Sequence, residues 1–174
     1  MSEGGGSPVL AGRGPRLAAV LAVAAAVVAA DQVTTTLALE KLATGPVHVL
    51  GPLRLELAFN SGVAFSIGSG LTAPIVLVVL VLVVLLVQRA RGAPSVGEAV
   101  AIGLVLGGAL GNLADRLFRT EGGAVVDFVR VGFWPTFNVA DASIVAGGVL
   151  LAISYWRHPR LHHSDAPRRR AGAR

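Results

Sequence analysis

The sequence predicts a mainly α-helical membrane protein with four transmembrane helices, a small β-sheet at the membrane surface and a short outer helix or loop. Three observations predict this fold class. Hydrophobic residues make up 53% of the 174 residues and charged residues only 14%, so a soluble domain would expose too much apolar surface. Four apolar segments are long enough, or nearly so, to cross hydrocarbon of about 30 Å. One connecting segment alternates between apolar and polar residues, as half-buried strands do.

Four apolar segments are predicted as helices, at residues 17–39, 71–87, 96–113 and 139–156. The second is almost entirely Leu and Val, and Pro74 falls in its first turn, where a missing N–H costs little. Aromatic pairs flank the fourth segment: Phe133 and Trp134 precede it, and Tyr155 and Trp156 end it. Such residues favour the two water–lipid interfaces.

The first long connection predicts the sheet. Its apolar residues Leu53, Leu55, Leu57 and Phe59 alternate with more polar positions, which is typical of a strand with one buried face. Residues 60–62 then predict a turn. Residues 124–131 are β-branched and are also expected to be extended, which completes a small sheet lying on the membrane.

Basic residues predict the orientation of the helices. One side would hold ten arginines, and the other would hold basic residues mixed with acids. The positive-inside rule therefore places both termini in the cytoplasm and residues 40–70 and 114–138 outside. The ten are Arg13, Arg16, Arg89, Arg91, Arg157, Arg160, Arg168, Arg169, Arg170 and Arg174. Because they lie beside apolar segments, the net charge of +5 indicates membrane orientation and not nucleic-acid binding.

The two ends of the chain differ in composition from the domain between them. Residues 1–15 are rich in Gly, Ser and Pro and predict a disordered cytoplasmic leader. Residues 158–174 form a basic cytoplasmic tail, whose three histidines are expected to be solvated beside anionic lipid rather than to bind a metal. Residues 16–157 remain as one membrane domain. Residues 17–30 could instead be a cleaved signal peptide, but three further apolar segments favour a retained helix.

Two aspartates carry the functional hypothesis. Asp127 lies in a mostly apolar run, and Asp141 lies at the start of the fourth apolar segment. Charge near hydrocarbon is costly, so ionisable residues there indicate a functional site. Two neighbouring carboxyl groups that share a proton can activate water and protonate a leaving group. The sequence has no cysteine, which excludes a thiol nucleophile and disulfides. An aspartyl protease is therefore predicted, with no metal, no cofactor and no covalent intermediate.

Other polar residues are expected to gather around this pair. Small residues four apart in the third segment, at Gly103, Gly107 and Gly111, let helices approach closely in lipid. They would hold Asn112 and Arg116, one turn apart, on one face at the end of that helix. Asn138 is three residues from Asp141. The amides could hold a substrate backbone, and the arginine could neutralise charge or bind a carbonyl.

The same residues also allow purely structural interpretations. Asp115 and Arg116 could form an interfacial ion pair. Asp141 could cap the fourth helix, or pair with Arg116 or Arg130. Asn138 could be the N-cap of that helix. Asp31, near the end of the first helix, is expected to hold the outer loop through hydrogen bonds rather than to act in catalysis.

Two other functions use the same sequence features. A small proton- or ion-coupled transporter could use Asp31, Asp115 and Asp141, although all three are expected on one side of the bilayer. A serine–lysine peptidase would need Lys41, the only lysine, with Ser61 or Ser66. A lysine base needs burial to lose its proton, and Lys41 follows Glu40 in a polar loop.

Five motifs resemble one known family, lipoprotein signal peptidase, also called signal peptidase II. They occur in the family's order from the first helix to the fourth. The motifs are Asp31-Gln32, FNSGVAFS at 59–66, GGALGNLADR at 107–116, VVDF at 125–128 and FNVAD at 137–141. One departure is visible, because the family usually has lysine at the position of Thr35.

The resemblance implies roles for these residues. Asp127 and Asp141 match the family's catalytic dyad. Four further residues match polar residues of the family that support substrate binding and geometry, and they form a second set. Three more match positions important for stability or activity, and they form a third set. The second set is Asn60, Asn112, Arg116 and Asn138, and the third is Asp31, Gln32 and Asp115.

The resemblance also implies a fold and an activity. The family has four transmembrane helices, an extracytoplasmic β-cradle and an extracytoplasmic helix near the site. It acts in the bacterial cytoplasmic (inner) membrane, where it removes signal peptides from prolipoproteins whose cysteine carries diacylglycerol, and it cuts just before that cysteine. Globomycin-type peptides inhibit it. The expected partners are these precursors and membrane lipid.

Overall fold

A computed structural model of the chain describes residues 13–61, 72–90, 95–120 and 122–157. It contains four α-helices, which confirm the four predicted segments within the described residues: α1 Arg13–Lys41, α2 Thr72–Ala90, α3 Val96–Ala114 and α4 Val139–Arg157. Helices α1, α3 and α4 lie in stretches long and apolar enough to span a membrane, and the apolar part of α2, Val76–Ala90, is shorter. Residues 1–12 of the leader and the whole tail lie outside the described residues.

Helix α3 is the central helix. Its membrane span is 67% buried, whereas the spans of α1 and α4 are 22% and 11% buried. The apolar core between α1, α2 and α3 includes Val20, Ala24 and Ile102, all of which are buried. The outer faces of α1, α2 and α4 expose Leu, Val and Ile side chains, as expected where lipid replaces water as the solvent.

Glycines allow α1 and α4 to approach α3 closely. A Cβ atom at Gly103 would lie 2.9 Å from the carbonyl oxygen of Val20, and one at Gly107 would lie 2.8 Å from that of Ala24. On the opposite face, a Cβ at Gly108 would overlap the carbonyl oxygen of Ala140. The predicted packing role of the glycine row is therefore confirmed.

Three antiparallel strands form one sheet in the order β1-β2-β3. They are β1 Val47–Leu50, β2 Leu53–Asn60 and β3 Val125–Val131. Strands β2 and β3 confirm the two predicted extended segments. The sequence did not predict β1, whose four residues are all exposed. The predicted turn at 60–62 begins inside β2, and Gly62 lies outside the described residues.

Strand β3 leads directly into α4. The chain reverses at Gly132, whose positive φ of 56° suits glycine. Phe137 then pairs with Val129 through two main-chain hydrogen bonds of 2.9 Å, and α4 begins two residues later. This short return places the middle of β3 beside the first turn of α4, which brings Asp127 and Asp141 to the same end of the bundle.

Helical structure continues beyond α3 as a single π-helical turn, Asp115–Arg119. The N–H of Thr120 donates to the carbonyl oxygen of Asp115, five residues back, at 3.3 Å. Such widened turns often occur at functional sites. This turn continues α3, and the expected separate short outer helix or loop stays a prediction.

Candidate active site

Asp127 lies in the buried part of β3, and only 2% of its surface is exposed. Its Oδ2 accepts a hydrogen bond of 3.1 Å from Asn60 Nδ2 on β2. Its Oδ1 is buried and has no partner among the described residues. The pKa of Asp127 is raised to about 7, mainly by burial and then by the negative charge of Asp141, against the opposing effects of Asn60 and Arg116. Asp127 therefore exists in both protonation states near neutral pH.

Asp141 is half-buried in the first turn of α4 and accepts hydrogen bonds on both oxygens. Asn112 Nδ2 donates to Oδ1 at 2.8 Å, and the main-chain N–H of Asn138 donates to Oδ2 at 3.4 Å. In return, Asn138 Oδ1 accepts the N–H of Asp141 at 2.8 Å. This reciprocal pair is a capping box, and it confirms Asn138 as the N-cap of α4. The capping box fixes the orientation of the Asp141 side chain.

Two amides connect the dyad residues to α3. Asn138 Nδ2 donates to Asn112 Oδ1 at 3.0 Å and to the carbonyl oxygen of Val126, next to Asp127, at 3.4 Å. Asn112 therefore accepts from one amide while it donates to Asp141. Because both side chains are occupied by these internal bonds, they orient the aspartates and have little capacity left for a substrate.

Arg116 lies beside the dyad, although it forms no ion pair with Asp115. Its Nη1 donates to the carbonyl oxygen of Asn112 at 3.1 Å, and its Nε is buried without a partner among the described residues. The alternative interpretation of an interfacial ion pair between Asp115 and Arg116 is not observed, because neighbouring residues on a helix do not face each other. Asp115 pairs with Arg119 at 2.8 Å instead.

Of the two structural alternatives for Asp141, the described residues show the helix cap and no pairing with Arg116 or Arg130. Arg130 pairs with Glu56 on the neighbouring strand at 2.7 Å. Within the described ranges, no basic side chain lies within ion-pair distance of Asp141. The contacts of Asp141 within the described ranges are therefore uncharged hydrogen-bond donors.

A polar cluster lies where α1 meets the end of α3. Its members are Asp31, Gln32, Asp115 and Arg119. Asp31 and Asp115 are completely buried. Gln32 Nε2 donates to Asp31 Oδ2 at 3.1 Å and to Asp115 Oδ1 at 3.0 Å. Asp31 was expected to hold the outer loop through hydrogen bonds. Its Oδ1 accepts the main-chain N–H of Ala140 at 2.9 Å, so among the described residues it holds the start of α4.

Sequence reasoning missed Arg119. The signal was available, because an aspartate and an arginine four residues apart face each other on a helix, but Arg116 was considered first. Thr35, at the usual lysine position, is buried, and its hydroxyl has no hydrogen-bond partner among the described residues. The basic group that contacts this cluster therefore comes from the π-helical turn and not from α1.

An apolar groove of about 380 Å³ begins at Asp141. It runs along α4 and is open to the side of the bundle. Its other lining residues are Trp134, Phe137, Ala142, Val145 and Ala146. The site thus combines two interacting carboxyl groups, a half-buried arginine and an apolar groove, an arrangement that suits proton transfer to and from a substrate with an apolar part.

Comparison with known proteins agrees with this arrangement. The family model described as "Signal peptidase (SPase) II" matches residues 23–157. A lipoprotein signal peptidase of Mycobacterium avium (strain 104) is 46% identical over 143 residues, which are 79% of this chain and 79% of that protein. One from Mycobacterium tuberculosis (strain ATCC 25618 / H37Rv) is 43% identical over 155 residues, which are 86% of this chain and 77% of that protein.

Solved structures support the same conclusion. The chain is similar to a bacterial membrane enzyme determined in meso at 2.3 Å resolution, with a TM-score of 0.69 and 28% identity, over 86% of this chain and 94% of that one. A second such structure at 1.9 Å has a TM-score of 0.68 and 30% identity, over 79% and 92% of the two chains. The resemblance seen in the five motifs is therefore confirmed, and the chain belongs to the signal peptidase II family of aspartic-type peptidases, as a multi-pass bacterial membrane enzyme with lipoprotein signal peptidase function.

Proposed function

We propose that the chain cuts diacylglyceryl-modified prolipoproteins immediately before the lipidated cysteine, with Asp127 and Asp141 as a water-activating dyad. One observation carries this proposal. A buried carboxyl with a pKa of about 7 is electrostatically coupled to a second carboxyl at the junction of β3 and α4. Paired carboxyl groups whose environments differ in this way can divide the roles of acid and base between them.

The geometry supports a division of roles within the pair. Asp127 is the proposed proton donor, because its pKa is raised to about 7 and it accepts from one amide, whereas Asp141, which accepts N–H groups on both oxygens, is the proposed base. Asp141 takes a proton from water as the water oxygen attacks the scissile carbonyl. Asp127 donates its proton to the carbonyl oxygen. The C–N bond then breaks as Asp141 passes the proton that it took from water to the departing amine of the lipidated cysteine, and Asp127 takes back a proton from a hydroxyl of the intermediate as the carbonyl re-forms.

Arg116 and Asn60 have supporting roles in this proposal. The positive charge of Arg116 offsets the surplus negative charge of the dyad region. Asn60 donates to Asp127 from the exposed end of β2, so it lies where a substrate backbone would enter. Asn112 and Asn138 orient Asp141 and the start of α4. Asp31, Gln32 and Asp115 hold the main chain on which the dyad is mounted.

Substrate delivery follows from the membrane location. A precursor anchored by its lipid and its apolar signal helix arrives by lateral diffusion, and the binding energy of that anchor positions the scissile bond. The groove beside Asp141 offers an apolar surface for this anchor. Residues 16–157 form the peptidase domain in this proposal, with the leader and tail in the cytoplasm and the dyad toward the extracytoplasmic face.

The alternative functions lose their support. The family assignment favours a peptidase over a transporter. Lys41 is exposed, so it lacks the burial that a lysine base for a serine nucleophile needs. Ser61 is exposed as well, and Ser66 lies outside the described residues.

A gel-shift assay with purified protein in liposomes tests the proposal. A diacylglyceryl precursor should be shortened, and its new N-terminus should be the lipidated cysteine. The same precursor without lipid should be cut slowly, and a globomycin-type peptide should inhibit the reaction. Equal cleavage of the two precursors, or a new N-terminus elsewhere, would contradict the proposed specificity.

A further inference from the structure

We infer that Arg119 is a positioning residue for Asp127 and Asp141. It fixes the contact between Gln32 and Asp115, and this contact helps to hold the two main-chain segments that carry the aspartates. The inference rests on the proposed function. Arg119 does not line the groove beside Asp141, and it acts through other residues.

The polar cluster holds one main-chain N–H next to each dyad residue. Asp115 Oδ2 accepts the N–H of Val126, which precedes Asp127, at 3.1 Å. Asp31 Oδ1 accepts the N–H of Ala140, which precedes Asp141, at 2.9 Å. Two buried carboxylates, one on α1 and one at the end of α3, therefore set the positions of β3 and α4 relative to each other.

Gln32 joins the two carboxylates, and Arg119 sets its orientation. The amide nitrogen of Gln32 can reach both carboxylates only if its oxygen points away from them. That oxygen, Oε1, accepts from Arg119 Nη2 at 2.7 Å. A flipped amide would place its NH₂ group against the guanidinium and its oxygen against two carboxylates, which leaves donors and acceptors unmatched.

Arg119 uses its planar fork for three partners at once. Its Nε donates to Asp115 Oδ1 at 2.8 Å, and its Nη1 donates to Thr36 Oγ1 at 3.1 Å. The third is the bond to Gln32. The flat geometry of a guanidinium allows these simultaneous contacts, whereas a lysine ammonium is a point charge on a flexible stem. Arg119→Lys should therefore keep the charge and lose part of the positioning.

The test compares kcat and KM for the lipidated precursor in liposomes. Arg119→Gln should lower kcat by on the order of 10²-fold, because small displacements of catalytic groups have effects of that size. KM should change little, because Arg119 does not line the groove. Arg119→Lys should lie between wild type and Arg119→Gln, and Thr36→Ala should have the smallest effect of the three.

Arg89→Gln is the matched control. Arg89 forms an ion pair with the buried carboxylate of Glu98, at the other end of α3. Both variants remove an arginine from a buried acid on the same helix, so both should lower the thermal unfolding temperature. Only Arg119→Gln should lower kcat. If Arg119→Gln does not fold, the test is the comparison of the other two variants: kcat should be lower in Arg119→Lys than in Thr36→Ala.

The outcomes separate this inference from the proposed function. Suppose that Asp141→Asn is inactive in the same liposomes. A wild-type kcat in Arg119→Gln would then overturn the inference. If Arg119→Gln does not fold, a wild-type kcat in Arg119→Lys would overturn it instead. An equal loss of kcat in Arg89→Gln would overturn it as well. Full activity of Asp141→Asn would instead overturn the proposed function.

Discussion

The two ends of α3 bury polar groups in different ways. At the end away from the sheet, Glu98 is buried and pairs with Arg89 on α2, and the apolar residues Ala99 and Ile102 of the same helix belong to the buried core. At the sheet end, several polar groups are buried together: Asp31, Thr35, Asp115, Asp127 and Asn138. One ion pair joins two helices at the first end. At the sheet end, a larger network of buried polar groups surrounds the proposed active site.

The buried acids at the sheet end differ in how completely they are hydrogen-bonded. Buried polar groups are tolerated when they are hydrogen-bonded and are costly when they are not. Asp31 and Asp115 accept main-chain and amide N–H groups. Asp127 keeps one oxygen without a partner among the described residues. The surrounding network therefore stabilises the site, and the incomplete bonding falls on the residue that is proposed to transfer a proton.

The largest stability effect should come from removing an acid at the sheet end. Asp115→Ala removes the carboxylate that Arg119, Gln32 and the N–H of Val126 contact. The free energy of unfolding should therefore fall by about 3–5 kcal/mol, and cleavage should be lost. Chemical denaturation in detergent measures the first effect. Glu98→Ala should destabilise by less and retain cleavage, and equal losses of activity would contradict the distinction between the two ends.

The pH dependence of cleavage should report Asp127. Asp127 must be protonated to donate, and its pKa is about 7, so kcat/KM should fall about tenfold per pH unit above that pH. The charged groups that set this value are Asp141, Arg116 and Asp115. Asn60→Ala removes a bond that favours the charged form, so it should move the falling limb to higher pH. A rate that rises with pH across this range would contradict the assignment.

Stability should have a related pH dependence. The folded pKa of Asp127 lies above the model-peptide value of 3.8, so between these two values the folded state binds more protons than the unfolded state. Stability should therefore decrease as pH rises from about 4 to about 7. Asp127→Asn should flatten this part of the curve, which thermal unfolding at several pH values would measure.

Close packing of the helices should give a smaller effect. Gly108→Ala places a methyl group against the main chain of α4, and overpacking of this kind costs about 1–3 kcal/mol. Gly148→Ala is the control, because a Cβ there meets nothing within 4 Å. Similar unfolding midpoints for the two variants would contradict the packing geometry of α3 and α4.

The smallest effect should come from the ion pair on the sheet. Glu56→Gln breaks the bond to Arg130 at a site where the arginine side chain is 45% exposed. Exposed pairs of this kind contribute up to about 1 kcal/mol. Cleavage should be retained, and a loss of several kcal/mol in chemical denaturation would show that the sheet is more tightly coupled to the site than its exposure indicates.

The sequence was informative where a pattern is local. Apolar runs of spanning length predicted the four helices, and alternation predicted β2 and β3. Strand β1 has only four residues, and all of them are exposed, so no periodic burial pattern marked it. The contacts among Asn112, Asn138 and Asp141 could be predicted because these residues stand at helix ends, where capping and spacing constrain them.

Long-range partners were beyond reach of such patterns. Asp31 lies 109 residues before Ala140, to which it is bonded, and no local rule joins a carboxylate on α1 to the first turn of α4. The pairing of Asp115 with Arg119 was within reach of helix spacing. The contact between Arg119 and Gln32 was not, because it depends on how α1 packs against the end of α3.

The most direct test of the account is single-turnover cleavage of a diacylglyceryl precursor by Asp127→Asn and Asp141→Asn in the same liposomes, beside Glu56→Gln as a folded control. The account predicts that each asparagine variant inserts and binds the precursor normally while its rate falls on the order of 10³-fold. A wild-type rate in either variant would contradict the proposal that these two aspartates carry out the hydrolysis.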